Sequence, residues 1–340
     1  MNENYSTLAY LNNVYQSLKP AFSFKAKNKE GWKRWRGELK DKLFELLGDF
    51  PQSKPPLNVR LLEKEEKKDY FREKIVFESE PGVLVPTYIL IPKKTKLPGQ
   101  AVIALHGHIK GGKKSVAGIY EDEEEKEKTE EVNGDYGLQM VKKGYIVAAP
   151  DQRCFGEREE LKAKEEGGNC FRSSMNALLL GKTMIGMRVW DAMRCIDYLQ
   201  ERKDVNKDKI GCLGLSGGGT TTLFASALDE RIKVIIVSGY FCTFKASIFD
   251  LYHCSCNYIP RILKYAEMSD IAGLIAPRPL LVETGTKDPI FPTLSTQKAY
   301  KKLGGIYELL GEMDKLSIDI FEGEHKFSGN KSFDWFKKWL

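Results

Sequence analysis

The chain has no apolar run approaching the roughly 18 residues of a membrane-spanning helix, so a membrane protein is not expected. Histidine is scarce, with four in 340 residues, and any imidazole chemistry has few candidates. Cysteine is present without pattern. Seven is an odd number with no framework spacing, which favours free thiols in a reducing compartment over a disulfide scaffold. Charge is not of one sign: 53 basic residues face 47 carboxylates, and the net +6 is dispersed. No recognition motif accompanies that excess, so no nucleic-acid partner is expected. Met1 to Tyr10 carries neither a cationic flank nor an apolar block, so the reading is a cytoplasmic protein without a secretion signal.

What is present is ordinary for a globular chain, with 42% hydrophobic and 29% charged residues. The first 70 residues read as a helical extension packed on the core, with a loop at Pro51 to Pro56. Within it, Trp32, Trp35, Leu39, Leu43 and Leu46 recur at three- and four-residue steps between lysines, the pattern of an amphipathic helix docked by its apolar face. From residue 71 to 340 short apolar runs alternate with helical patterns. Candidate strands are Lys74–Phe77, Val83–Ile91, Gln100–Leu105, Tyr145–Ala149, Lys209–Leu215, Lys233–Val237, Pro279–Glu283 and Ser317–Phe321. The first two are close enough to pair antiparallel. The later ones are spaced by helix-length segments, as in a parallel sheet. Candidate helices are Gly134–Lys143, Thr183–Glu201, Gly218–Ala227, Thr293–Leu303 and Lys331–Leu340. The fold expected is α/β, with about eight mostly parallel strands flanked by helices.

Two segments break the rhythm. Glu121 to Glu131 holds eight carboxylates, two lysines and a threonine, and reads as a solvated loop or short helix. Gly239 to Pro277 is too long for a plain crossover and reads as an insertion above the carboxyl ends of the strands. Its aromatic residues, among them Tyr240, Phe241, Phe244, Phe249, Tyr252 and Tyr258, are taken mostly as core.

The strongest local signal is Gly214-Leu215-Ser216-Gly217-Gly218, between a strand-like and a helix-like run. A sharp strand-to-helix turn there would expose the Ser216 hydroxyl and set the Gly217 amide at a helix N-terminus, where it can donate to an oxyanion. A serine nucleophile needs a base, and the base needs an orienting acid. His325 follows the last strand and Asp288 the strand before it, so both belong on the same sheet edge as Ser216. Glu283 is a competing acid, ranked lower because it sits inside a strand pattern. The loop His106-Gly107-His108 follows an earlier strand, and the His108 amide is the second oxyanion candidate, with both imidazoles read as structural. Asp151 to Arg158 is expected beside the pocket, with Arg153 in an ion pair. His253, Cys254 and Cys256 look like part of a metal site, but the spacing is too tight and a fourth ligand is missing, so buried thiols and a packed histidine are expected.

His106-Gly107, Gly214-x-Ser216-x-Gly218, Gly285-x-x-Asp288 and His325 together resemble the α/β-hydrolase superfamily over roughly residues 70 to 340. Asp151-x-Arg153-x-x-Gly156, Gly181 to Tyr198 and Ile275 to Asp288 look like bacterial esterases near the dienelactone hydrolase and acetyl xylan esterase groups. The serine at 216 differs from the cysteine nucleophile of dienelactone hydrolases proper, and Cys154 stands where glycine commonly follows the arginine. The resemblance implies a serine carboxylesterase acting on a small-molecule ester of short acyl chain, including acetylated sugars, with no cofactor and no metal. A peptidase or amidase of prolyl-oligopeptidase type is the alternative on the same residues. A non-enzymatic binding protein is the third reading, against which the full set of three residues argues. The oligomeric state is left open.

Overall fold

The computed structural model describes residues 5–162 and 170–340; the first four residues of the expected extension lie outside the described residues. Among the described residues, nine strands form one sheet: β1 (Arg60–Glu66), β2 (Tyr70–Glu80), β3 (Val83–Pro92), β4 (Gly99–Leu105), β5 (Ile146–Pro150), β6 (Val205–Leu215), β7 (Ile232–Ser238), β8 (Leu280–Gly285) and β9 (Leu316–Phe321). Their order across the sheet is β1-β2-β3-β5-β4-β6-β7-β8-β9. β1, β2, β3 and β5 pair antiparallel, and from β5 through β4 to β9 every pair is parallel.

Each of the eight expected strands is present. The ninth, β1, lies where the sequence reads as helical. Its run Arg-Leu-Leu-Glu-Lys-Glu-Glu is almost wholly exposed, so it has no apolar alternation to betray it. It is an edge strand held by its ladder to β2 and by cross-strand pairs, Arg72 with Glu65 at 2.6 Å and Lys64 with Glu73 at 3.2 Å. Charged residues on such an edge discourage pairing with another chain.

The central strands are buried on both faces, and their alternation sorts side chains into two cores. Ile103 and Leu105 of β4 and Ile235 and Val237 of β7 join Val189, Leu223 and the apolar face of the helix Lys29–Leu47. Val102, Ala104, Val234 and Ile236 join Met140, Trp335 and Phe336 on the other side. The helix Lys29–Leu47 starts where the Asn28 side chain accepts from the Gly31 amide at 2.8 Å. It buries Trp35, Leu39, Leu43, Leu46 and Leu47 and leaves its charged face outward, where Arg36 and Lys40 reach Glu230.

The acidic run forms a helix, Glu123–Glu131, capped by the Asp122 carboxylate on the Glu125 amide. The segment 239–279 between β7 and β8 folds as short helical turns with Tyr240, Phe241 and Phe244 buried, whereas Tyr252 is 94% exposed. No helix among the described residues is long and apolar enough to cross a membrane.

This packing makes the helix Lys29–Leu47 part of the main core, whereas the preceding helix Thr7–Ser17 buries none of its residues. Leu43→Ala is expected to destabilise the protein by about 2–5 kcal/mol in urea unfolding, and Lys40→Ala by no more than about 0.5 kcal/mol. Equal midpoints for the two variants would show that the helix is not docked through Leu43.

Candidate active site

β6 ends at Leu215 and the helix Gly217–Leu228 begins at Gly217. Ser216 alone makes the turn, at φ 57° and ψ −120°, a conformation that costs a non-glycine residue roughly 1–3 kcal/mol. Its amide donates to the Ser238 carbonyl at 2.9 Å, and its carbonyl accepts from the Thr220 amide at 2.8 Å. The flanking positions leave no room for side chains. A Cβ on Gly218 would stand 1.8 Å from the Leu105 carbonyl oxygen, and one on Gly214 would stand 2.4 Å from the Gly218 backbone. The Gly217 amide opens the helix and so has no partner within it.

The Ser216 side chain lines a cavity of about 610 Å³ together with His325, which comes from the loop after β9. The His325 Nδ1 donates to the Asp288 Oδ2 at 2.7 Å. The other Asp288 oxygen accepts from the Ile290 and Phe291 amides at 3.0 and 2.9 Å. Phe291 stacks on the imidazole at 5.7 Å between ring centres. With Nδ1 so engaged, the buried Nε2 of His325 has no hydrogen-bond partner, Ser216 Oγ included. A Cβ on Gly239 would come within 3.1 Å of the ring, so β7 ends directly against it.

Glu283, the competing acid, faces elsewhere. It accepts from the Ser328 amide at 3.2 Å, the Gly329 amide at 3.4 Å and the Ser332 hydroxyl, and burial pushes its carboxyl above the usual carboxylate range. It fastens the loop that follows His325 to the start of the helix Ser332–Trp339.

The loop after β4 packs against the serine turn. A Cβ on Gly107 would meet the Leu215 carbonyl oxygen at 2.9 Å and Ser216 Cβ at 3.1 Å. His108 sits at the centre of a tight turn closed by the Ile109 amide on the Gly107 carbonyl at 3.0 Å. Its imidazole borders Gly217, where an added Cβ would lie 2.8 Å from the ring. His106 is fully buried. Its Nε2 accepts from the Gln152 amide at 2.9 Å and its Nδ1 donates to the Gly107 carbonyl at 2.7 Å. Burial holds its pKa down to about 4 from the ordinary 6.5, against the pull of Asp151.

Asp151 to Arg158 does not line the cavity, contrary to the expectation from sequence. It packs beneath the histidine loop, with the Phe155 ring 4.9 Å from that of His108. Asp151 is turned away into an ion pair with the buried Lys113. Arg153 clamps Asp191 through Nε and a terminal nitrogen, both at 2.9 Å, and reaches Glu80.

His253 is the packed histidine expected from the sequence, while the cysteine grouping gains two members that the spacing did not bring together. His253 does not join Cys254 and Cys256; its ring packs 5.0 Å from Phe291 on the cavity wall. The histidine beside these thiols is His108, whose Nε2 lies 3.2 Å from Cys256 Sγ, and Cys170 completes the group. The acidic helix is not merely a solvated face either. Lys128 and Glu131, with Val132 and Gly134 after it, line the cavity together with Tyr252 and His253. A run of carboxylates has no apolar period to announce such a role.

A family model described as the Abhydrolase family matches residues 2–305. The chain belongs to that family. Within reach of this abhydrolase sequence is "Putative hydrolase YtaP" of Bacillus subtilis (strain 168), 33% identical over 290 residues, which are 82% of this chain and 90% of YtaP. The crystal structure of a "putative acetyl xylan esterase" from Bacteroides fragilis NCTC 9343 is similar at a TM-score of 0.78 and 21% identity, over 94% of this chain and 82% of that one. A glucuronoyl esterase from Solibacter usitatus is similar at 0.70 and 17%, over 95% and 99%. At these identities the two structures share the abhydrolase fold with this chain.

The His106 contacts have a pH consequence. Above pH 6.5 the imidazole is neutral in both folded and unfolded chains and contributes no pH dependence. As pH falls from 6.5 towards 4 the unfolded chain takes up the proton and the folded one does not, so stability declines, by at most on the order of 3 kcal/mol in total. Stability measured by urea unfolding between pH 7 and 4.5 should fall less steeply in His106→Gln than in the unsubstituted protein. Parallel profiles would show that His106 is not held neutral.

Proposed function

We propose that the protein is a serine carboxylesterase. The observation that carries this reading is the turn residue Ser216 sharing a cavity with an imidazole whose far nitrogen is already engaged by a carboxylate at 2.7 Å. In the proposed reaction His325 Nε2 takes the hydroxyl proton as Ser216 Oγ attacks the ester carbonyl. Asp288 holds the Nδ1–H tautomer and stabilises the imidazolium that forms. The Gly217 and His108 amides donate to the tetrahedral oxyanion. The alcohol leaves with the proton from His325, and an acyl-serine remains. Water, deprotonated by His325, then releases the carboxylic acid and restores the serine. A single oxyanion donor is typically worth about 3 kcal/mol of barrier, so the fit of Gly107 against the serine turn matters directly.

The substrate we propose is a short acyl ester on a polar, sugar-like alcohol. Val116, Val132, Ile109 and Ile290 give the cavity apolar wall, and Lys110, Lys128 and Glu131 give polar groups. The two structural neighbours named above are esterases by name, a "putative acetyl xylan esterase" and a glucuronoyl esterase, and that favours esters over the amides of the peptidase alternative.

Hydrolysis of p-nitrophenyl acetate and labelling by a serine-directed phosphonate test this reading. Ser216→Ala is expected to lower kcat by roughly ten-thousandfold or more and to abolish labelling. Substantial turnover in that variant would sink the proposal. The two acids separate in the same assay. Asp288→Asn should lower kcat by about 10³–10⁴-fold, whereas Glu283→Gln should lower the thermal midpoint and spare most of kcat. The reverse result would reassign the orienting acid to Glu283.

A further inference from the structure

Four potential metal ligands that are scattered through the sequence converge beside the cavity, two of them on its wall. His108 comes from the loop after β4, Cys170 precedes the helix Phe171–Leu179, and Cys254 and Cys256 lie between β7 and β8. One ligand atom from each lies within 4.8 Å of all the others. Tetrahedral zinc takes thiolates at about 2.3 Å and imidazole at about 2.0 Å, which sets its ligand atoms about 3.5–3.8 Å apart. The His108 Nε2 to Cys256 Sγ distance is 3.2 Å, so closing on an ion needs shifts of about an ångström or less.

A second observation points the same way. Arg188 is 3% exposed, and among the described residues no carboxylate pairs with it. One terminal nitrogen donates to the Arg153 carbonyl at 2.8 Å and lies 3.2 Å from Cys170 Sγ, and its Nε has no partner. A buried guanidinium without a counter-charge is costly. Three thiolates and a neutral imidazole around a divalent ion carry a net charge of −1, which that guanidinium would balance. Phe155, Met184 and Met187 pack around the thiols and keep the surroundings apolar. His108 and Cys254 also line the cavity, which provides an entry path.

We propose that His108, Cys170, Cys254 and Cys256 form a structural zinc site that ties the histidine loop to the segment between β7 and β8. The ion binds through His108 Nε2 and three sulfurs, and each cysteine gives up its thiol proton to solvent on binding. Four protein ligands close the coordination sphere, so the ion holds the loop and takes no substrate. The site does not depend on the hydrolytic reading of Ser216, and its test needs no turnover.

The full-length protein, reduced and stripped with a chelator, is titrated with Co²⁺ under anaerobic conditions. The expected result is one equivalent bound, with a thiolate-to-cobalt charge-transfer band and the intense visible bands of tetrahedral Co²⁺, all displaced by one equivalent of Zn²⁺. Cys170→Ser and Cys256→Ser should lose or shift these bands, and Ser216→Ala and Cys212→Ala should keep them. In the unsubstituted protein, Zn²⁺ should protect Cys170, Cys254 and Cys256 from alkylation, mapped by mass spectrometry, which covers the case of a variant that does not fold. Absence of tetrahedral bands at stoichiometric Co²⁺ would overturn the proposal. So would bands unchanged by Cys256→Ser, or equal alkylation of the three thiols with and without Zn²⁺.

Discussion

The contact on which the site depends is backbone against backbone, where the first turn of the helix Gly217–Leu228 presses on the end of β4. No side-chain atom fits between the α-carbon of Gly218 and the Leu105 carbonyl oxygen. That carbonyl is in turn fixed by the Tyr136 hydroxyl at 2.6 Å, from the helix on the opposite layer. The close approach forces β6 to turn within a single residue and leaves Ser216 in a left-handed conformation. Its strain is offset by the ladder-like bond from its amide to the Ser238 carbonyl, which continues the β6–β7 pairing one residue past the strand. The serine is therefore presented between the buried end of a strand and the first turn of a buried helix.

The same logic assigns the two acids near His325 different work. Glu283 is inside β8, buried, and already occupied by two amides and a hydroxyl from the chain that follows His325. Asp288 lies three residues beyond β8, where two successive amides hold one oxygen and leave the other for the imidazole. One carboxylate fixes where the chain after His325 runs and the other fixes how the ring is turned. Neither could take the other's place without moving β8 by several residues.

Much of this was readable from the residues, for reasons that also mark what was not. Central strands such as β4, β7 and β8 are buried on both faces, so their apolar β-branched runs stand out, and the glycines around Ser216 mark a place where chain meets chain. β1 carries no such signal because an exposed edge strand of Arg, Leu, Glu and Lys owes its existence to its neighbour β2. The acidic helix Glu123–Glu131 fails the same way. Its charge pattern describes the face towards water, and the few residues that reach the cavity, Lys128 and Glu131, are of the same types as those that do not. The sulfur cluster was hidden by a different cause. Its members stand at positions 108, 170, 254 and 256, and only the last two are close in sequence. The nearby His253 draws attention on spacing alone, yet the thiol of Cys256, three residues on, meets a histidine nearly 150 residues away.

That cluster also bears on how the loop after β4 is held. Behind His106 the loop is anchored firmly, by a buried imidazole and by the Gln152 side chain, which donates to the His106 carbonyl and accepts from Thr221 of the helix that starts at Gly217. Ahead of His108 the chain continues through Ile109 and the exposed Lys110 to Lys113, whose amide and buried ammonium both bond to Asp151, and the side chain of His108 adds a hold of its own. The ring leans on Gly217 on one side and Phe155 on another, and its Nε2 meets the thiol of Cys256. A neutral contact between thiol and imidazole is weak and directional only in part, whereas a shared ion fixes both partners and the chain that carries them. The loop that carries His108 is thus held by a hydrogen-bonded core behind it, by the Lys113–Asp151 pair ahead of it and, at His108 itself, by its contact with the sulfur cluster.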